Sequence, residues 1–103
     1  MKNLLDETVE LLKSCDKTSA DVSWVQFGSD TLFHCTWNEF EAASGFDYDN
    51  GYGGAEINTR LKIVGADWWL ERGEYDGSEW WEFKTKPTKP EMHRTPVKND
   101  LCD

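Results

Sequence analysis

The chain is poor in the residues that build cross-links. It has three cysteines in 103 residues, Cys15, Cys35 and Cys102. Their odd number and wide spacing leave no Cys-x-x-Cys pair, which excludes a zinc knuckle and a thioredoxin-like motif. Long apolar runs are also missing. The opening Met1-Lys2-Asn3-Leu4-Leu5-Asp6-Glu7 is broken by charge, which argues against a signal peptide or a membrane-spanning helix. Together these absences predict a reduced, cytoplasmic protein. Basic residues are scarce in the centre, where residues 18–83 hold thirteen acids against Arg60, Lys62 and Arg72. That deficit disfavours contact with DNA, RNA or anionic membrane. Proline is absent until Pro87, and Pro90 and Pro96 follow it.

What is present fits one small folded domain. Hydrophobic residues make up 38% and aromatics 14%, enough for a core despite the high charge. A chain this short folds with only about 5–10 kcal/mol, and its six tryptophans bring large buried area per residue. The formal net charge is -9, with -10 in residues 18–83 and +2 in residues 84–103. The acidity belongs to the centre and favours a basic partner.

Apolar residues at Leu4, Leu5, Val9, Leu11, Leu12 and Cys15 predict an amphipathic helix over 3–16, with Asp6, Glu7 and Lys13 on its wet side. Val22 to Phe27 reads as a strand, with Trp24, Val25 and Phe27 as packing candidates. Gly28-Ser29-Asp30 is a turn, and Thr31 to Cys35 returns as a second strand. Thr36-Trp37-Asn38-Glu39 fits a capping box. The helix it opens runs to about Ser44, with Trp37, Phe40 and Ala43 inward and Ser44 exposed, and Gly45 supplies a left-handed stop. Phe46 to Gly54 is a glycine-rich loop. Glu56 to Val64 reads as a strand ending at Gly65. Residues 1–86 form the compact domain, and the proline-containing stretch 87–103 is an extended or disordered tail. The element order predicts an α+β fold. Its mainly antiparallel sheet has about five strands, with the N-terminal helix and a second short helix on one face.

The run from Trp68 to Phe83 carries most of the information. Asp76-Gly77 supplies the positive φ angles of a two-residue turn, and strand-favouring aromatics flank it. The stretch holds four of the six tryptophans and five acids. With a two-residue turn, Tyr75 faces Ser78, Glu74 faces Glu79, Gly73 faces Trp80, Arg72 faces Trp81, Glu71 faces Glu82 and Leu70 faces Phe83. Two pairs of like charge then sit directly opposite one another, which is unfavourable unless a cation or solvent relieves them. Arg72 can relieve one of them and can stack on Trp81. A three-residue turn with a bulge at Gly77 would shift the pairing.

Other constellations are weaker. Asp47-Tyr48-Asp49-Asn50-Gly51 has an EF-hand flavour, but counting from Asp47 the sixth residue is Tyr52 and the twelfth is Asn58, where the motif needs Gly and Glu. Gly51-Tyr52-Gly53-Gly54 lacks the Lys-Ser/Thr of a phosphate cradle. His34 and Cys35 are neighbours in a strand and point to opposite faces, which argues against a Cys–His dyad. Paired carboxylates could serve a glycosidase-like reaction only in a cleft, which a chain this short forms poorly.

The runs Phe46 to Ile57, Leu61 to Arg72 and Tyr75 to Lys84, with their Trp-Trp repeats, resemble small uncharacterised proteins encoded by phages and prophages. The resemblance implies a bacterial host cytoplasm and a protein that acts by binding and disabling a host protein, such as a nucleic-acid-guided or restriction nuclease. No residue role is carried over from that group. The expectation is therefore a non-enzymatic, acidic binding protein that blocks a basic, nucleic-acid-handling surface. Its contact residues would be Asp47, Asp49, Trp69, Glu71, Glu74, Tyr75, Glu79, Trp80 and Glu82, with no cofactor and no metal. Two alternatives stay open: a small carboxylate-dependent enzyme or metal-binding protein using Asp47, Asp49, Glu71 and Glu82, and a phage structural or assembly accessory.

Overall fold

In a computed structural model, residues 1–51 and 53–102 are described. Tyr52 and Asp103, which fall in the expected loop and tail, lie outside them. The fold is α+β. Among the described residues, strands β1 (Lys2–Asn3), β2 (Trp24–Gly28), β3 (Leu32–Cys35), β4 (Asp47–Tyr48), β5 (Lys62–Val64), β6 (Trp68–Tyr75) and β7 (Ser78–Thr85) alternate with helices α1 (Leu4–Ser14), α2 (Trp37–Ala43) and α3 (Lys98–Leu101). The main sheet has five antiparallel strands in the order β3-β2-β5-β6-β7. A second, two-stranded sheet pairs β1 with β4.

Local chemistry sets the element ends. The Asn3 side chain accepts from the Asp6 N–H and caps α1. Thr36 and Glu39 close the expected box at the start of α2, and the N–H and hydroxyl of Thr36 hold the Glu39 carboxyl below its usual range. The turn between β6 and β7 has φ of 50° at Asp76 and 85° at Gly77, the left-handed pair that a two-residue hairpin turn requires. The two-residue register is therefore the observed one, from Tyr75 opposite Ser78 down to Trp68 opposite Thr85.

Strand alternation divides the sheet into two faces. Val25, Ile63 and Leu70 are fully buried in one cross-strand row, and Leu4, Leu12, Phe40, Tyr48, Ile57, Leu61, Trp68 and Trp81 complete the core around them. Trp68 stacks on Phe83 with ring centroids 5.9 Å apart. Gly65 sits beneath that indole, where a Cβ would fall 2.1 Å from the ring.

Several expectations are corrected. Trp24 and Phe27 are not core residues: Trp24 lies on the sheet face opposite Val25, and Phe27 sits at the rim, both exposed. Glu7 is not on the wet side of α1 but turns inward to Tyr48 and Arg72. Val9 is exposed while Thr8 is buried, because Thr8 lies one turn from both Leu4 and Leu12 on the same stripe. Ala43 is exposed and Ser44 is buried, since the chain doubles back there and the Ser44 carbonyl accepts from Leu5 and Phe46. Gly45 has no positive φ, and Ser44 itself closes α2. The expected loop contains β4. The expected strand from Glu56 is regular only over Lys62–Val64, since Ile57 and Leu61 are buried on an irregular path. Residues 87–102 are all exposed and include the short helix α3. No helix among the described residues is long and apolar enough to cross a membrane.

Candidate functional site on the open face of the sheet

Helices α1 and α2 cover the face that carries Val25, Ile63 and Leu70. The opposite face carries several cross-strand rows. Trp24, Val64, Trp69 and Lys84 form the first, and His34, Gln26, Lys62, Glu71 and Glu82 the second. Gly73 and Trp80 are paired in the third. Three tryptophans thus share one face that neither α1 nor α2 covers. Trp24 is 45% and Trp80 38% exposed, and Trp69 is half-buried.

Two details give this face its chemistry. Gly73 has no side chain where Trp80 lies: a Cβ there would come within 2.8 Å of both Trp80 Nε1 and Glu82 Oε1. The glycine therefore lets the indole settle against the strand beside the carboxylate. Between the Trp69 and Trp80 rows, Glu71 and Glu82 sit directly opposite one another. Trp69 Nε1 donates to Glu71 Oε1 at 2.8 Å. Neither carboxylate has a cationic group within 4 Å among the described residues, although Lys62 is the cross-strand neighbour of Glu71.

Arg72 relieves the other opposed pair, Glu74–Glu79, and not this one, because alternation sends it to the covered face. There its Nη2 donates to Glu79 Oε1 at 3.0 Å and to Tyr48 Oη at 2.9 Å. Its Nη1 lies 3.5 Å from Glu7 Oε1. The guanidinium also packs over the Trp81 ring at 4.8 Å and the Tyr48 ring at 5.6 Å. Glu79 further accepts from the Glu56 and Ile57 N–H groups at 2.6 and 3.2 Å. Tyr48 donates to Glu7 at 2.5 Å. Burial and then that carboxylate push its hydroxyl up to about 12, against the opposing pull of Arg72. Trp81 Nε1 donates to the buried Thr8 hydroxyl at 2.9 Å, and Thr8 passes a bond to the Leu4 carbonyl. This network ties α1, β4, the segment after residue 54 and the hairpin together.

The nine residues expected to form one contact surface are distributed over four places. Trp69, Glu71, Trp80 and Glu82 share the open face. Tyr75, 78% exposed, and the exposed Glu74 stand at the hairpin tip. Asp47 and Asp49 belong to the segment on the covered side. Asp47 accepts from the Asn3 side chain, and Asp49 caps its own turn by accepting from Gly51. Glu79 is corrected outright: it is 3% exposed and is the buried counter-ion of Arg72, so it cannot be a surface contact. The alternation signal was available, since Glu79 shares a face with Trp81. Sequence reasoning also missed Trp24, which the β2–β5–β6 pairing brings into line with Trp69.

The four acids of the carboxylate-enzyme alternative do not converge. Asp47 and Asp49 flank Tyr48, which packs on Arg72 at the covered face, while Glu71 and Glu82 lie on the open one. Among the described residues no group of three or more His, Cys, Asp or Glu side chains is placed to hold a metal ion. Comparison with protein-family models, with curated proteins and with solved structures gives no match.

Proposed function

We propose that this chain is a non-enzymatic binding protein whose open sheet face docks a basic protein surface. The carrying observation is the Glu71–Glu82 pair, two opposed carboxylates without a cation between them, flanked by Trp69 and Trp80. Like charges directly opposite are destabilising, and an incoming arginine or lysine side chain would relieve them. The flanking indoles offer that cation ring faces at an energy of about 0.5–2 kcal/mol each. Partly exposed tryptophans at the centre of a patch are the residue type that dominates binding energy at interfaces. The -9 net charge steers encounter with a basic partner. The acidity, together with the resemblance to phage-encoded proteins, supports a nucleic-acid-handling host protein as that partner and its blockade as the outcome, the action of an anti-defence inhibitor in the bacterial cytoplasm.

Affinity capture from a bacterial lysate, with salt-graded elution, tests this reading. The native chain should retain a basic protein that elutes as salt rises. The Glu71→Lys, Glu82→Lys double variant should lose it at low salt. Trp80→Ala should weaken the captured complex by about 2 kcal/mol, seen mainly as faster dissociation. Equal retention of the same protein by native chain and both variants would place the interface elsewhere.

A further inference from the structure

The covered side of the sheet contains a cleft that the partner surface does not use. It has a volume of about 410 Å³ and lies between β2, α2 and the segment that follows residue 54. Val25, Phe27, Phe40, Phe46, Ile57 and Leu61 give it an apolar lining. The size and lining match those of small-molecule sites. Its rim is wet: Phe27 and Phe46 are both exposed, and exposed Phe33 on β3 stacks against Phe27 at 5.6 Å. A domain this small has little reason to leave three phenylalanines uncovered around one concavity.

Polar groups narrow the kind of occupant. Ser44 lines the cleft and is 2% exposed. Its N–H donates to the Phe40 carbonyl at 2.9 Å, and its own carbonyl accepts from Leu5 and Phe46 at 3.1 and 2.8 Å. Its hydroxyl alone has no hydrogen-bond partner among the described residues. That oxygen is closed to solvent, so an occupant of the cleft does not reach it. The charged side chains of the lining are Glu39 and Glu56, both acids, with no lysine, arginine or histidine. Hydrogen bonds from the Thr36 N–H and hydroxyl hold the Glu39 carboxyl below its usual range. A carboxylate or phosphate head group would meet repulsion here, whereas a hydroxyl or an ammonium would not.

We propose that this cleft is a binding site for a small amphipathic molecule that has an aliphatic or aromatic body and a neutral or cationic hydrogen-bonding head, the head donating to the exposed Glu39 and Glu56 carboxylates of the lining. This site is separate from the open face, and its occupancy leaves the basic-partner reading untouched.

Three probes of one chain length test it: 1-octanol, octylammonium and octanoate, each titrated into the full chain and followed by methyl NMR. 1-Octanol and octylammonium should shift the methyl signals of Ala43, Ile57 and Leu61 saturably and raise the melting temperature. Octanoate should bind about tenfold more weakly or worse. Ala43→Trp, at an exposed helical position that lines the cleft, should abolish the shifts. Ala43→Leu, a smaller change, should weaken them while keeping the native spectrum. The proposal is overturned by unmoved methyls at millimolar probe, by octanoate binding as well as octylammonium, or by shifts that survive both Ala43 variants.

Discussion

The Arg72 guanidinium and the Glu79 carboxylate meet at 3.0 Å inside the protein, with side chains only 4% and 2% exposed. Glu79 has two further donors, the Glu56 and Ile57 N–H groups, so its charge is well matched. Removing one member of such a pair leaves the other buried and uncompensated, at a cost of about 3–5 kcal/mol. Glu79→Ala should therefore lower the free energy of unfolding in urea by that order, close to the whole stability of a domain this size. Glu79→Gln keeps the shape and should cost less. A loss below about 0.5 kcal/mol for Glu79→Ala, the scale of a neutral surface substitution, would contradict the placement.

Tyr48 supplies a pH signature of the same network. Its hydroxyl is raised in the fold to about 12 from 10.0. A group whose folded value is raised contributes stability that is complete below the unfolded value and disappears as pH climbs through the folded one. This contribution should therefore be intact below pH 10 and fall away between pH 10 and 12. Absorbance near the tyrosinate band should show one tyrosine ionising late, and Tyr48→Phe should remove that late step. A native titration with no such late step would contradict the buried hydrogen bond to Glu7.

The last stretch of the chain should matter little to the fold. Residues 87–102 are all exposed, and Lys86, the last residue before them, is held to the domain by its N–H, which donates to the Asp67 carbonyl at 2.8 Å. Truncation after Lys86 keeps that bond. It should leave the melting temperature within about 2 °C, since exposed chain carries little stability. A loss of ten degrees or so, far beyond what about 1 kcal/mol would give, would mean that the tail docks.

The legible parts of this fold are those that local chemistry dictates. Asp76-Gly77 fixes the hairpin register because few dipeptides tolerate two left-handed residues in succession. Thr36 and Glu39 mark the start of α2 because their reciprocal bonds lie within four residues. The hidden parts depend on distant chain. Nothing near Tyr48 announces that a two-residue strand will pair with Lys2 and Asn3. Glu56 to Leu61 has strand-like composition, but the Glu56 and Ile57 N–H groups are bound by Glu79 from another strand and those of Arg60 and Leu61 by Asn58, which replaces a ladder. The open face was half visible: alternation places Trp69 with Glu71 and Trp80 with Glu82. Its third indole, Trp24, joins only through pairings across β5 that no local pattern specifies. Glu74 and Glu79 are the same kind of residue on opposed strands, yet one is exposed and the other is sealed beside Arg72.

The most direct test of the account uses the six indole N–H signals of the 15N-labelled chain during titration with an arginine-rich peptide at low salt. The signals of Trp24, Trp69 and Trp80 should move together and saturate, while those of Trp37, Trp68 and Trp81 stay in place. The Glu71→Lys, Glu82→Lys double variant should abolish the movement with the native spectrum otherwise kept. If the three open-face signals stay fixed, or move unchanged in the double variant, the open face is not a site for basic partners.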